Sequence, residues 1–160
     1  MQGGKELKKG FIIALMGIYF ILSGCQENNS SNKDLSGTAI IAKEYLEEQG
    51  YDVLSYEGQQ ESYKLTERKI KTMPYIFYWD MPGNDPTLHI GKVVDVEEFI
   101  VKNHPLDNWE CCGGVKSKGK VYTYVYVIEG EVVGGTSFPY GVEDAGLTGG
   151  YWSLDGRTEE

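Results

Sequence analysis

Val121-Tyr122-Thr123-Tyr124-Val125-Tyr126-Val127-Ile128, then Glu129-Gly130, then Val132 to Ser137, is the stretch whose reading decides the fold. Two runs of β-branched and aromatic residues separated by two turn residues form the pattern of a hairpin closed by a type I′ turn. Side chains alternate across a strand, so Val121, Thr123, Val125 and Val127 share one face and Tyr122, Tyr124 and Tyr126 the other. The β-branched face is built to pack against a helix. The tyrosine face serves either as a second core layer, through aromatic cross-strand pairs, or as an exposed binding surface.

Working outward, Val93 to Asn103 reads as another long strand, although DVEEFIVK would also make two helical turns. Upstream, Ser36 is an N-cap, Ala39, Ile40, Ala42, Tyr45 and Leu46 fall near helical spacing, and Gly50 closes the helix. Tyr51 to Tyr56 reads as a strand and Glu57-Gly58-Gln59-Gln60 as a turn, with Ser62 to Leu65 pairing back. Thr66 to Thr72 carries the cap and charge of a short helix that Pro74 stops. Tyr75-Ile76-Phe77-Tyr78-Trp79 is apolar throughout, as in a strand covered on both faces. Asp80 to Pro86 is a loop, as is Gly141 to Gly150, and Tyr151 to Leu154 makes a last short strand before an acidic end. A helix followed by hairpin-connected strands predicts an α+β domain: an antiparallel sheet with the N-terminal helix packed on one face.

The first residues carry a different message. Lys5, Lys8 and Lys9 precede the twelve-residue apolar run Phe11 to Leu22, which ends in Ser23-Gly24-Cys25. A spanning helix needs roughly 20 apolar residues, so this run fits an export signal better than a permanent span. Leu22-Ser23-Gly24-Cys25 resembles the lipobox of bacterial lipoprotein precursors at every position. In signal and composition the chain is similar to small lipoproteins of Gram-positive bacteria, a likeness that brings no functional residues with it. The resemblance implies that residues 1–24 are removed, that Cys25 carries a covalent diacylglycerol as its only cofactor-like group, and that the protein sits lipid-anchored on the extracytoplasmic face of the cell membrane. Two acyl chains exceed the marginal hold of one. Residues 25–37, polar and rich in Asn and Ser, read as a flexible tether with a reach of roughly 15–20 Å. Residues 38–160 then suffice for a single domain able to bury a core without staples.

Composition narrows the partners. The net charge is −9, and loss of the signal removes three lysines and one glutamate, making it −11. An acidic domain is repelled by anionic lipid, so the acyl anchor must supply the membrane affinity. Nucleic acid is not expected, because the two basic clusters, Arg68-Lys69 with Lys71 and Lys116 with Lys118 and Lys120, read as solvated faces rather than a phosphate-binding patch.

Chemistry is concentrated at Cys111-Cys112, the two thiols left once Cys25 is lipidated. In an exported protein they can close a strained vicinal disulfide suited to redox switching. They can instead ligate soft Cu(I) or Zn(II) with His104. As adjacent strand residues they would point to opposite faces and do neither. His104 with Asp107 and a cysteine makes a nucleophilic triad only on paper, and a backbone-bonded turn histidine is the simpler expectation. The acidic pairs Glu97-Glu98 and Glu143-Asp144 have the chemistry for acid–base work or Ca²⁺, but carboxylates are common in this chain. No hydrolase elbow, zinc-protease helix or Walker loop is present, and Gly134-Gly135 and Gly149-Gly150 flank strands rather than open helices. The reading is a membrane-tethered, non-enzymatic envelope module that binds another envelope protein or an extracellular ligand, with Tyr122, Tyr124 and Tyr126 as its face. The alternative is a thiol-redox or metal-handling lipoprotein using Cys111-Cys112.

Overall fold

Ser36 starts helix α1 (Gly37–Glu48) by accepting the Ala39 N–H on its hydroxyl at 3.0 Å, and Gly50, with φ 87°, takes the left-handed position that ends it. In a computed structural model, which describes residues 35–143 and 151–158, α1 is followed by five strands. These are β1 (Asp52–Lys64), β2 (Val93–Lys102), β3 (Val121–Ile128), β4 (Glu131–Pro139) and β5 (Trp152–Ser153). They form one antiparallel sheet in chain order. The lipobox with Cys25, the tether up to residue 34, Asp144 and Gly149-Gly150 lie outside the described residues.

The hairpin forms as its sequence predicts. Glu129 and Gly130 both have positive φ, 52° and 85°, which a type I′ turn requires. Its alternation sorts the core into two clusters. Val121, Val125 and Val127 are buried with Phe99 and Val101 of β2 and with Ala39, Ala42 and Leu46 of α1. On the opposite parity, Tyr126 and Ile128 are buried with Val94, Val96, Tyr63, Leu65 and Trp79. Val93–Lys102 is a strand rather than a helix because its β-branched residues pair along β3, from Asp95 opposite Val127 to Val101 opposite Val121.

Four local expectations need correction. Glu57-Gly58-Gln59-Gln60 is not a turn: β1 runs through it as one strand of 13 residues against the 10 of β2. The surplus is absorbed by register shifts between Val53 and Ser55, Tyr56 and Gly58, and Gln59 and Glu61. Bulges of this kind bend and twist a strand, and here they also blunt an exposed sheet edge. Thr66 to Thr72 contracts to a single 3-10 turn, Lys69–Lys71. Tyr75–Trp79 is not a strand but a short helix, α2, entered at Pro74. Its inward residues Tyr75, Tyr78 and Trp79 follow i, i+3, i+4 spacing, while Ile76 and Phe77 are exposed. Finally, Gly134 and Gly135 lie inside β4 rather than beside it.

Those two glycines have a packing reason. The buried Asn84 donates from Nδ2 to the Gly135 carbonyl at 3.0 Å and accepts the Gly135 N–H on Oδ1 at 2.9 Å. Its Nδ2 also reaches the Tyr78 carbonyl at 2.6 Å, which ties the end of α2 to β4. A Cβ on Gly134 would overlap the Asn84 side chain. The segment between β1 and β2 is thereby held over part of the tyrosine side of the sheet.

Candidate functional site

Because α2 covers only one end of that side, the three β3 tyrosines have different surroundings. Tyr126 is 2% exposed, with Trp79 packed on its ring at 5.3 Å between centroids. Tyr124 and Tyr122 are only partly buried. Beyond α2 the sheet opens into a groove of about 540 Å³ with Tyr126 at its covered end. Register supplies its floor: Val96 and Glu98 of β2 stand opposite Tyr126 and Tyr124, and Thr136 and Phe138 of β4 stand opposite Tyr124 and Tyr122. Gln60, Glu61 and Tyr63 of β1 form one wall. Tyr78 and Tyr151 form another, edge to face at 4.9 Å with their hydroxyls 3.4 Å apart.

The lining combines six tyrosines and Phe138 with the carboxylates of Glu61, Glu98 and Glu143. Among the described residues, no lysine, arginine or histidine lines it. Desolvation raises the Tyr124 phenol well above its usual range, reinforced by the charge of Glu98 and a hydrogen bond to it. Tyr122 is raised by desolvation and then by Glu143, to which its hydroxyl donates at 3.4 Å. Desolvation and Tyr151 do the same to Tyr78. The phenols therefore stay neutral, offering ring faces and hydroxyl donors beside the carboxyl groups of the lining.

An ammonium group already occupies this kind of niche beside the groove. Lys69 Nζ lies 4.2 Å from the Tyr63 ring centroid and 4.0 Å from that of Tyr75, and 3.3 Å from Glu61 Oε1. The Tyr75 hydroxyl donates to the same carboxylate oxygen. Lys69 is thus engaged rather than part of a solvated basic patch.

No family profile, curated protein or solved structure matches this chain. Its site is read from its own chemistry.

The other residues singled out in the sequence are placed elsewhere. His104, 4% exposed, accepts the Leu106 N–H on Nδ1 at 3.1 Å, so Nε2 is the donor to the Leu154 carbonyl at 2.9 Å. Tyr51 packs on its ring at 4.8 Å. With both ring nitrogens committed to backbone, His104 is not offered to the cysteines or to Asp107. Cys111 and Cys112 are free thiols beside the turn Cys112–Gly114, with Sγ atoms 3.4 Å apart, so they share one side rather than diverging as in a strand. Partial desolvation and the neighbouring Cys112 thiol push the Cys111 thiol up. Among the described residues no group of three or more His, Cys, Asp or Glu side chains is arranged to hold a metal ion.

Glu97 and Glu98 are separated by the pleat. Glu97, fully buried, accepts from Thr38 at 2.5 Å and Ser36 at 3.2 Å on one oxygen and from Tyr56 at 2.6 Å on the other. Glu98 lines the groove. Glu61, Tyr63, Tyr78, Phe138 and Tyr151 do not stand out as site residues from sequence, and Glu98 does so only as half of an acidic pair. For Glu98 and Phe138 a signal existed, since strand parity puts them on the face of Tyr122 and Tyr124 once the pairing register is known.

Proposed function

We propose that this chain is a lipid-anchored, extracytoplasmic binding module, with α1 backing one face of its sheet and a ligand held in the tyrosine groove of the other. The groove is the observation that carries this reading: about 540 Å³ of concave, largely aromatic surface with a few converging polar groups, within the roughly 300–1,000 Å³ usual for ligand sites. Its lining supplies adsorption and hydrogen bonding. The anchor rests on Leu22-Ser23-Gly24-Cys25 and the apolar run before it. The described residues contain no helix long and apolar enough to cross a membrane. A short polar tether then keeps the domain, and the opening of its groove, close to the membrane that carries it.

The test uses the full, lipidated chain in intact cells, with a photo-crosslinking residue replacing either Phe138 in the groove or Ile40 on the outer side of α1. A recurrent adduct from position 138 and none from position 40 is expected, identified by mass spectrometry. Equal yields from both positions, or none from either, would overturn the groove as the site. Cys25→Ser separately tests the anchor: the variant should leave the membrane fraction or persist as unprocessed precursor, and a processed form of it still held at the membrane would refute lipidation.

A further inference from the structure

Resting on the groove as the binding site, we propose that its ligand is a small organic cation, an ammonium group seated against the tyrosine rings and within reach of Glu98 and Glu143. Three observations converge on that chemistry. The lining is aromatic and acidic, and among the described residues it contains no basic side chain. An anion would meet the carboxylates of Glu98 and Glu143 there, Glu61 being already paired with Lys69. A purely apolar molecule would desolvate Glu98, already only 9% exposed, without returning any charge interaction. A cation gains from both components, since ring faces present negative potential and carboxylates complete the neutralisation.

The second observation is Lys69. Its ammonium rests on Tyr63 and Tyr75 and pairs with Glu61, and both Tyr63 and Glu61 belong to the groove wall. The same residue types that hold this internal cation recur along the sheet as Tyr124 with Glu98 and Tyr122 with Glu143. Desolvation keeps those phenols protonated, so the rings bind as neutral faces and the hydroxyls orient the carboxylates. The third is size and field. A volume of about 540 Å³ matches a small molecule, and the net charge of −11 that remains once residues 1–24 are removed draws cations toward the protein.

The experiment is calorimetric titration of the full chain, in a non-ionic polyoxyethylene detergent, with three probes: choline, spermidine, and 3,3-dimethylbutan-1-ol, the uncharged isostere of choline. At least one cation should bind, at least tenfold more tightly than the isostere and more weakly as salt rises. Glu98→Gln and Tyr122→Leu should each weaken it at least tenfold, Tyr122→Phe should restore it because the ring face remains, and Ile40→Ser on the far side should leave it unchanged. Thermal unfolding of each variant separates lost binding from lost fold. Equal binding of choline and its isostere would overturn the cation while leaving the groove as a ligand site. Absence of any cation binding to millimolar concentration, with the Phe138 adduct still formed in cells, would do the same. Loss of both the titration signal and the adduct would overturn the groove itself.

Discussion

Glu97 and Glu98 adjoin in sequence, yet the pleat of β2 sends them to different faces of the sheet, and those faces surround a carboxylate in different ways. On one face, Glu97 is closed in by three hydroxyls of the chain itself. Its hydrogen bonds join the start of α1 to β2 and β1, and its full burial leaves no room for anything else. On the tyrosine side, Glu98 borders open volume, and its phenol neighbours present rings as well as donors. A buried carboxylate enclosed by the chain's own hydroxyls is a structural tie; Glu98, although hydrogen-bonded to Tyr124, also borders the groove. The same residue type, one position apart, is assigned by which face it lands on.

The largest expected effect probes the closed face. Phe99→Ala, at a fully buried position in the α1-side cluster, should cost about 3–5 kcal/mol in urea unfolding. Tyr124→Phe on the open face should cost no more than about 1 kcal/mol, the net worth of one hydrogen bond. Equal costs would erase the distinction between a packed face and an open one.

The two glutamates sharpen it further. Glu97→Ala strands three hydroxyls without their acceptor and should destabilise by about 1–3 kcal/mol, with faster amide exchange in the first turn of α1. Glu98→Gln should change stability by less than about 1 kcal/mol. If Glu98→Gln proves the more destabilising of the two, Glu98 is a structural tie as well.

Asn84 sets where the open face begins. Asn84→Ala removes both bonds to Gly135 and the one to Tyr78, and should cost about 1–2 kcal/mol. Hydrogen exchange at the Gly135 amide should accelerate while that of β2 and β3 facing α1 does not. Uniform acceleration throughout the sheet would show that the two sides do not open separately.

The smallest effect is a pH dependence from His104. Burial lowers its pKa below the ordinary 6.5, against the opposing pull of the Leu154 carbonyl and of Asp107 and Asp155. The unfolded chain takes up a proton near pH 6.5 that the folded chain refuses, so the stability present above that pH is lost as pH falls through the lowered value. Melting temperature should therefore decline more steeply below about pH 6.5 in the parent than in His104→Gln, and parallel declines would show that the imidazole contributes nothing to it.

The sequence is most informative where a local pattern and its tertiary use coincide. Val121 to Ile128 alternates strictly and Glu129-Gly130 suits a turn with two positive φ angles, so the hairpin and its two faces were legible. The run Tyr75 to Trp79 was not, because five apolar residues in a row show neither the strand nor the helix period. The helix is selected by Tyr75, Tyr78 and Trp79 meeting Tyr63 and Tyr126 across the fold, with Pro74 at its start. In β1 the alternation is broken three times by bulges, which in one dimension is indistinguishable from a turn around Gly58. Of the groove's lining, the alternation of β3 made Tyr122, Tyr124 and Tyr126 visible. Glu61, Tyr78 and Tyr151 were invisible because nothing within their own stretches marks them.

By itself the chain's sequence determined the antiparallel hairpin, the capped α1 and the acidic character of the domain. These follow from side-chain period, turn stereochemistry and charge, all of which act between near neighbours. Only the tertiary structure decided that Tyr126 is core while Tyr122 and Tyr124 remain partly open, that Glu97 is enclosed while Glu98 borders the groove, and that the ring nitrogens of His104 are held by backbone. Those outcomes depend on strand register and on where α2 stops covering the sheet, and register and coverage are settled by packing between segments far apart in the chain.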